Sequence, residues 1–153
     1  MGLSMTKSSK NHRKSGLESS VNNRKSLSMQ RLFTRAGVSP YDVVQWDHRS
    51  SVISDPNGSV VFKMDDVEVP KSWSQLATDI VVSKYFRKAG VPDSIGREHS
   101  VRQVVYRVAH SIRQAGEQAG DYFADPDAAQ IFEDELTHLL LNQMGAFNSP
   151  VWF

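Results

Sequence analysis

With 153 residues, a formal net charge of +1 and no cysteine, the chain is long enough for one domain with a core, and it excludes a disulfide scaffold, a thiolate zinc site and a cysteine nucleophile of its own. The near-neutral balance hides an asymmetry: Lys7, Lys10, Arg13, Lys14, Arg24, Lys25, Arg31 and Arg35 face only Glu18, so a basic tail is joined to a mildly acidic body. No run of about twenty apolar residues and no secretory-type leader occurs, so a cytoplasmic protein with no membrane contact is expected.

Residues 1–30 are rich in Ser, Lys, Asn and Arg, and such a segment buries too little apolar surface to offset its ordering entropy; a disordered basic leader is expected. Its charge could contact nucleic acid weakly through phosphates, but it has no aromatic residue to stack bases, so a solvated leader is the plainer reading. Past Gly37-Val38-Ser39-Pro40, the runs Val43–Trp46, Ser51–Ser54 and Ser59–Met64 flank Asp55-Pro56-Asn57-Gly58. Asn-Gly between β-branched runs predicts a β-hairpin with positive φ at both residues, and Val67 and Val69 before Pro70 suggest a short third extended segment.

After Pro70 the period becomes helical. Trp73, Leu76, Ala77, Ile80 and Val81 form one stripe with Ser72 placed to cap it, and Gly90 and Pro92 stop the helix. Val101, Val104, Val105, Val108, Ala109 and Ile112 mark a second amphipathic helix, with Arg102, Gln103, Arg107 and Arg113 elsewhere on the wheel. A third begins at Asp125-Pro126, carries Phe132, Leu136, Leu139 and Leu140 inward, and ends near Gly145. The fold class is therefore α+β and mostly α-helical: a hairpin followed by a three-helix unit. The final Phe147-Asn148-Ser149-Pro150-Val151-Trp152-Phe153 looks like the opening of a buried strand, and its large aromatics need a covering, either from the helices of this domain or, as the favoured reading, from further sequence.

Local chemistry is sparse. Glu135 and His138 have the spacing of half a di-metal carboxylate site, but no second Glu-x-x-His exists, so a boundary histidine is expected and no metal site is assigned. Glu98, His99 and His110 have no partners at metal spacing. Asp65, Asp66 and Glu68 lack the glycine-punctuated loop of a calcium site and read as solvated edge-strand charge. No phosphate loop, nucleophile elbow or dinucleotide fingerprint is visible.

Longer stretches say more: Arg35-Ala36-Gly37-Val38-Ser39-Pro40-Tyr41, Trp46-Asp47-His48-Arg49, Val67 to Gln75, Asp79 to Phe86 and the closing Phe147 to Phe153. In this order and spacing they resemble the N-terminal domain of the adenosylcobalamin-dependent, class II ribonucleotide reductases. The resemblance implies a helical domain over residues 31–147 and, at 148–153, the entry to a ten-stranded α/β catalytic barrel. In that family cobalt–carbon homolysis leads to a cysteine thiyl radical that takes the ribose 3′ hydrogen, while other cysteines supply the electrons that remove the 2′ hydroxyl. It further implies a ribonucleoside-diphosphate reductase in which Ser149, and more weakly Asn148, contact the phosphate of the ribonucleotide through neutral donors. No catalytic residue is assigned, since every cysteine is missing; adenosylcobalamin is expected in the complete enzyme and not on this chain alone. The expected partners are the remainder of the barrel, the substrate and a second copy in a homodimer. The alternative is a stand-alone helical binding module whose basic leader engages nucleic acid.

Overall fold

The computed structural model describes residues 26–153; the leader expected to be disordered lies, over residues 1–25, outside the described residues. Two antiparallel strands, β1 (Trp46–Ser54) and β2 (Val60–Pro70), precede three helices, α1 (Gln75–Lys84), α2 (Val101–Gln118) and α3 (Pro126–Leu141), and a 3₁₀ turn at Ser149–Trp152 follows. The α+β reading, a hairpin and three helices, is thus what the chain adopts.

The hairpin differs from expectation in two details. Of the turn residues only Gly58 takes a positive φ (+84°), because Pro56 holds its own φ near the right-handed value, so a type I turn leads into a left-handed glycine. The Asp55 carboxylate accepts from the Asn57 and Ser59 N–H groups (2.8 and 2.9 Å) and closes the loop. The predicted third segment is the continuation of β2. Arg49 pairs with Val67 but Ser51 with Met64, so one extra residue bulges out of β2, where Asp66 takes φ of 57°. Beyond the bulge Val67 and Val69 turn fully inward.

Arg49 fastens the hairpin to the helices by donating to the carbonyls of Trp73 (2.6 Å) and Lys71 (3.0 Å). α1 is capped by Ser74, whose hydroxyl accepts from the Ala77 N–H, in place of the expected Ser72. With the helix phased that way Thr78, Val81 and Val82 are buried, while Leu76 and Ile80 are 70% and 46% exposed; the expected inward stripe is split between core and surface. α2 begins with a reciprocal capping box: Ser100 accepts from the first turn and Gln103 reaches back to the Ser100 N–H. The Ser100 hydroxyl also donates to Glu68 of β2, so this cap joins helix to sheet. Ser100→Ala is expected to cost about 1–2 kcal/mol in urea unfolding, the upper part of the capping range because the sheet contact goes too.

α2 lays Val101, Val104, Val105 and Val108 on the core, as its periodicity predicts, and meets Leu140 and Leu141 of α3 and Trp73, whose indole N–H donates to the Leu141 carbonyl (2.8 Å). Gly116 sits inside α2, where glycine is unfavourable, because a Cβ there would come 2.5 Å from the Phe123 ring. Leu27, inside the segment read as leader, donates to the Tyr122 carbonyl (2.6 Å), and its own carbonyl accepts from Ala124. α3 opens at Asp125-Pro126 as predicted but ends at Leu141, not at Gly145. Gln143 takes φ of 52°, and the Gln143 and Met144 N–H groups return to the Leu140 and Leu139 carbonyls, a Schellman closure.

Candidate functional site

The closing segment forms no strand. Pro150 near the start of the 3₁₀ turn fixes its φ and withholds an N–H, and Val151 donates to the Asn148 carbonyl (3.0 Å), so the chain coils at the point where a strand was expected. The coil returns Trp152 to the domain. Its indole donates to the Phe147 carbonyl (2.8 Å), its ring lies 5.8 Å from that of Tyr85, and it is only 9% exposed. The aromatic end is therefore covered by the domain's own helices at Trp152, whereas Phe153 remains 70% and Val151 41% exposed.

Ser149 and Asn148 both lie on the surface of this turn. The Ser149 Oγ is 2.6 Å from the Oη of Tyr85, the residue that caps the C-terminal end of α1, and the Tyr85 ring is 5.6 Å from that of Phe153. Behind this hydroxyl pair lies Arg107 of α2. Its Nη1 donates to the Trp152 carbonyl (2.8 Å), its Nη2 to the Tyr85 carbonyl (3.2 Å), and its Nε and Nη2 to the Glu98 carboxylate (2.9 and 3.1 Å). Glu98 also accepts from the Arg87 N–H (2.7 Å), so one shielded ion pair fastens the end of α1, the loop before α2 and the closing turn together. Such a place offers neutral hydroxyl donors beside apolar surface, with its positive charge already neutralised.

The other candidates have structural employment. Glu135 accepts from the N–H groups of Leu32, Phe33 and Thr34 and from the Thr34 hydroxyl, while the His138 ring stacks on Phe33 at 5.3 Å. They face the Leu32–Thr34 loop, which takes up the carboxylate that half a metal site would need. His110 lies 3.2 Å from Glu133, which Arg113 also contacts, and His99 gives its N–H to Gln103. Asp65 meets Ser50 and Lys63, Asp66 meets His48, and Glu68 meets Ser100 and Arg102, so the three acids diverge. Among the described residues no group of three His, Cys, Asp or Glu side chains is arranged to hold a metal ion. Spacing arguments passed over Arg107, which reads as one more polar residue on the outer side of α2; its partners are distant in sequence and leave no local signal.

Comparison with known proteins gives this geometry a setting. The sequence profile described as class II vitamin B12-dependent ribonucleotide reductase matches residues 47–143. A vitamin B12-dependent ribonucleotide reductase of Streptomyces coelicolor is 47% identical over 131 residues, covering 84% of this chain and 13% of that protein. Its counterpart in Rhodopirellula baltica is 49% identical over 118 residues (76% of this chain, 11% of the relative), and that of Bradyrhizobium diazoefficiens 38% over 158 (83% and 12%). The chain thus spans about an eighth of the length of the curated relatives it matches. No helix among the described residues is long and apolar enough to cross a membrane. A match at this identity across most of the residues, together with the profile match over the hairpin and all three helices, places the chain in the class II, vitamin B12-dependent ribonucleotide reductase family, as its N-terminal domain.

Proposed function

We propose that this chain serves a reductase that converts ribonucleoside diphosphates to deoxyribonucleotides in the cytoplasm, and that it supplies scaffold and one edge of the substrate pocket, not the reacting groups. The observation that carries this is the exposed Ser149–Tyr85 hydroxyl pair at the end of a domain whose relatives are named for the reaction. Ser149, with Asn148 beside it, would donate to the substrate's phosphate from a neutral hydroxyl, which needs no desolvation of charge. In the reaction the ribose loses its 2′ hydroxyl as water while a dithiol is oxidised to a disulfide, and a chain with no cysteine cannot furnish that dithiol. Cobalamin would supply the radical initiator. The described residues do not fit it: the histidines at 48, 110 and 138 are engaged with Asp66, Glu133 and Phe33, the unpartnered Nδ1 of His99 is buried, and no donor set converges.

The surface around Ser149 is apolar in a way that a partner would use. Ile80 of α1 and Tyr85 at its C-terminal cap, with Phe147 and Trp152, line a groove of about 320 Å³, and Leu76 stands one helical turn from Ile80 on the same side. We infer that the portion of the reductase which the relatives carry beyond this domain packs here, covering Leu76, Ile80 and Phe153. A chimera in which this chain replaces the matching segment of the Streptomyces coelicolor enzyme tests both statements. It is expected to reduce a ribonucleoside diphosphate when adenosylcobalamin and a dithiol are supplied, whereas the isolated chain is expected to give no turnover. Ser149→Ala in the chimera is expected to raise KM roughly tenfold, the loss of one hydrogen bond to a charged acceptor, with kcat little changed. An unaltered KM would remove the phosphate role.

A further inference from the structure

Ser149 stands in a four-residue 3₁₀ turn whose leading residue, Asn148, makes no side-chain capping bond; the Val151 N–H on the Asn148 carbonyl and the Trp152 indole on the Phe147 carbonyl close it locally but bond it to no helix. Its fastening comes from two other elements. The Tyr85 hydroxyl reaches the Ser149 Oγ from the end of α1 at 2.6 Å, and Arg107 of α2 donates through separate nitrogens to the Trp152 carbonyl and the Tyr85 carbonyl. Because the guanidinium is planar and stiff, holding both carbonyls sets the distance between the end of α1 and the turn. Glu98 keeps that cation in place and neutral toward its surroundings. Either hydroxyl can donate across this pair; the phenol is the stronger donor, and a serine oxygen that accepts from it retains one proton, free to point outward.

We propose that Tyr85 and Arg107 are positioning residues for Ser149: Arg107 braces the turn against α1, and Tyr85 selects the serine rotamer that presents its proton to a phosphate oxygen. The inference deepens the proposed function and rests on the reading of Ser149 as a phosphate contact. The geometry separates the two parts, since the brace acts on the backbone and the phenol on one side-chain rotamer.

The experiment uses the full chain, isotopically labelled, with inorganic pyrophosphate as the probe. In the wild type the Ser149, Val151 and Trp152 amides are expected to be as rigid as those of α3, with order parameters of about 0.85. Arg107→Lys keeps a cation beside Glu98 but lacks the planar fork that fixes the spacing of the two carbonyls, and it is expected to drop these amides below about 0.6 while α3 is unchanged. Tyr85→Phe keeps the ring against Trp152 and Phe153, so a purely packing role predicts no effect. Instead the Ser149 χ1 couplings are expected to average over rotamers, and the pyrophosphate-induced shift of the Ser149 amide to need several-fold more ligand. Unchanged order at residues 149–152 in Arg107→Lys overturns the brace, and wild-type couplings and titration in Tyr85→Phe overturn the rotamer role. A wild-type chain with a rigid turn and a single Ser149 rotamer but no response to pyrophosphate would overturn the phosphate reading alone, leaving the order and coupling data to decide the positioning.

Discussion

Glu98→Ala is expected to destabilise the domain by about 3–5 kcal/mol, the largest single loss from a polar residue here. The carboxylate is almost wholly shielded, with 4% of its side chain exposed, and it answers a guanidinium that is itself only 13% exposed. Removing it leaves Arg107 with an uncompensated charge and Arg87 with an unpaired N–H, and a buried charge without its partner costs far more than the pair contributes as a pair. Against a total stability of about 5–15 kcal/mol for a domain of this kind, such a loss brings the protein close to its unfolding threshold. A double-mutant cycle separates charge from geometry. Glu98→Ala with Arg107→Met removes both charges and should recover part of the loss, but not all, because the Tyr85 and Trp152 carbonyls lose their donor as well. Urea unfolding of the four proteins checks this. A Glu98→Ala variant within about 1 kcal/mol of wild type would mean that Arg107 swings into water, and the shielded junction would have no energetic standing.

Features written in neighbouring residues were legible in the sequence. α2 was readable from its periodic face, and α3 from its face together with its Asp125-Pro126 start, whereas the Ser100–Gln103 capping box of α2, though equally local, went unread. α1 misled because Leu76 and Ile80 satisfy the helical period while facing an uncovered surface; periodicity reports that a face is apolar, not what covers it. β2 looked like two segments because the bulge at Asp66 shifts the alternation by one residue, and its pairing with β1 carries the strand across that gap. At the candidate site Ser149 and Asn148 were named only through the family motif. Arg107 and Glu98 were not assigned a role, since nothing local distinguishes an arginine on the outer side of an amphipathic helix from one that reaches back to a loop and a turn. Glu135 shows the same limit: its partners precede it by about a hundred residues, and spacing can suggest only the neighbours it does not use.

Glu135 is also the source of the clearest acid sensitivity. Burial pushes its pKa up, but the bonds from the Thr34 hydroxyl and from the N–H groups of Thr34, Phe33 and Leu32 outweigh burial and hold the carboxyl below its ordinary value of 4.5. A carboxyl depressed on folding contributes stability that is fully present above its unfolded value and is lost as pH falls through the folded one. Wild-type stability should therefore decline from about pH 5 downward in part because this carboxylate is protonated and can no longer accept from every donor around it. Glu135→Gln retains the shape but replaces the charged acceptor of four donors by a neutral oxygen and sets an amide NH₂ against the Phe33 N–H. It is expected to lose about 2–3 kcal/mol at pH 7, and to loosen Leu32–Thr34 from α3. The two stability curves should then converge as pH falls from 6 to 3, because the wild type loses an advantage the variant never had. Asp47 and Asp65, whose carboxyls are also held below their usual range by bonds from Arg49 and Ser50, are present in both proteins and cancel from the difference. Denaturant melts at half-unit pH steps give that difference directly, and curves that stay parallel would show that the loop is held by something other than the Glu135 charge.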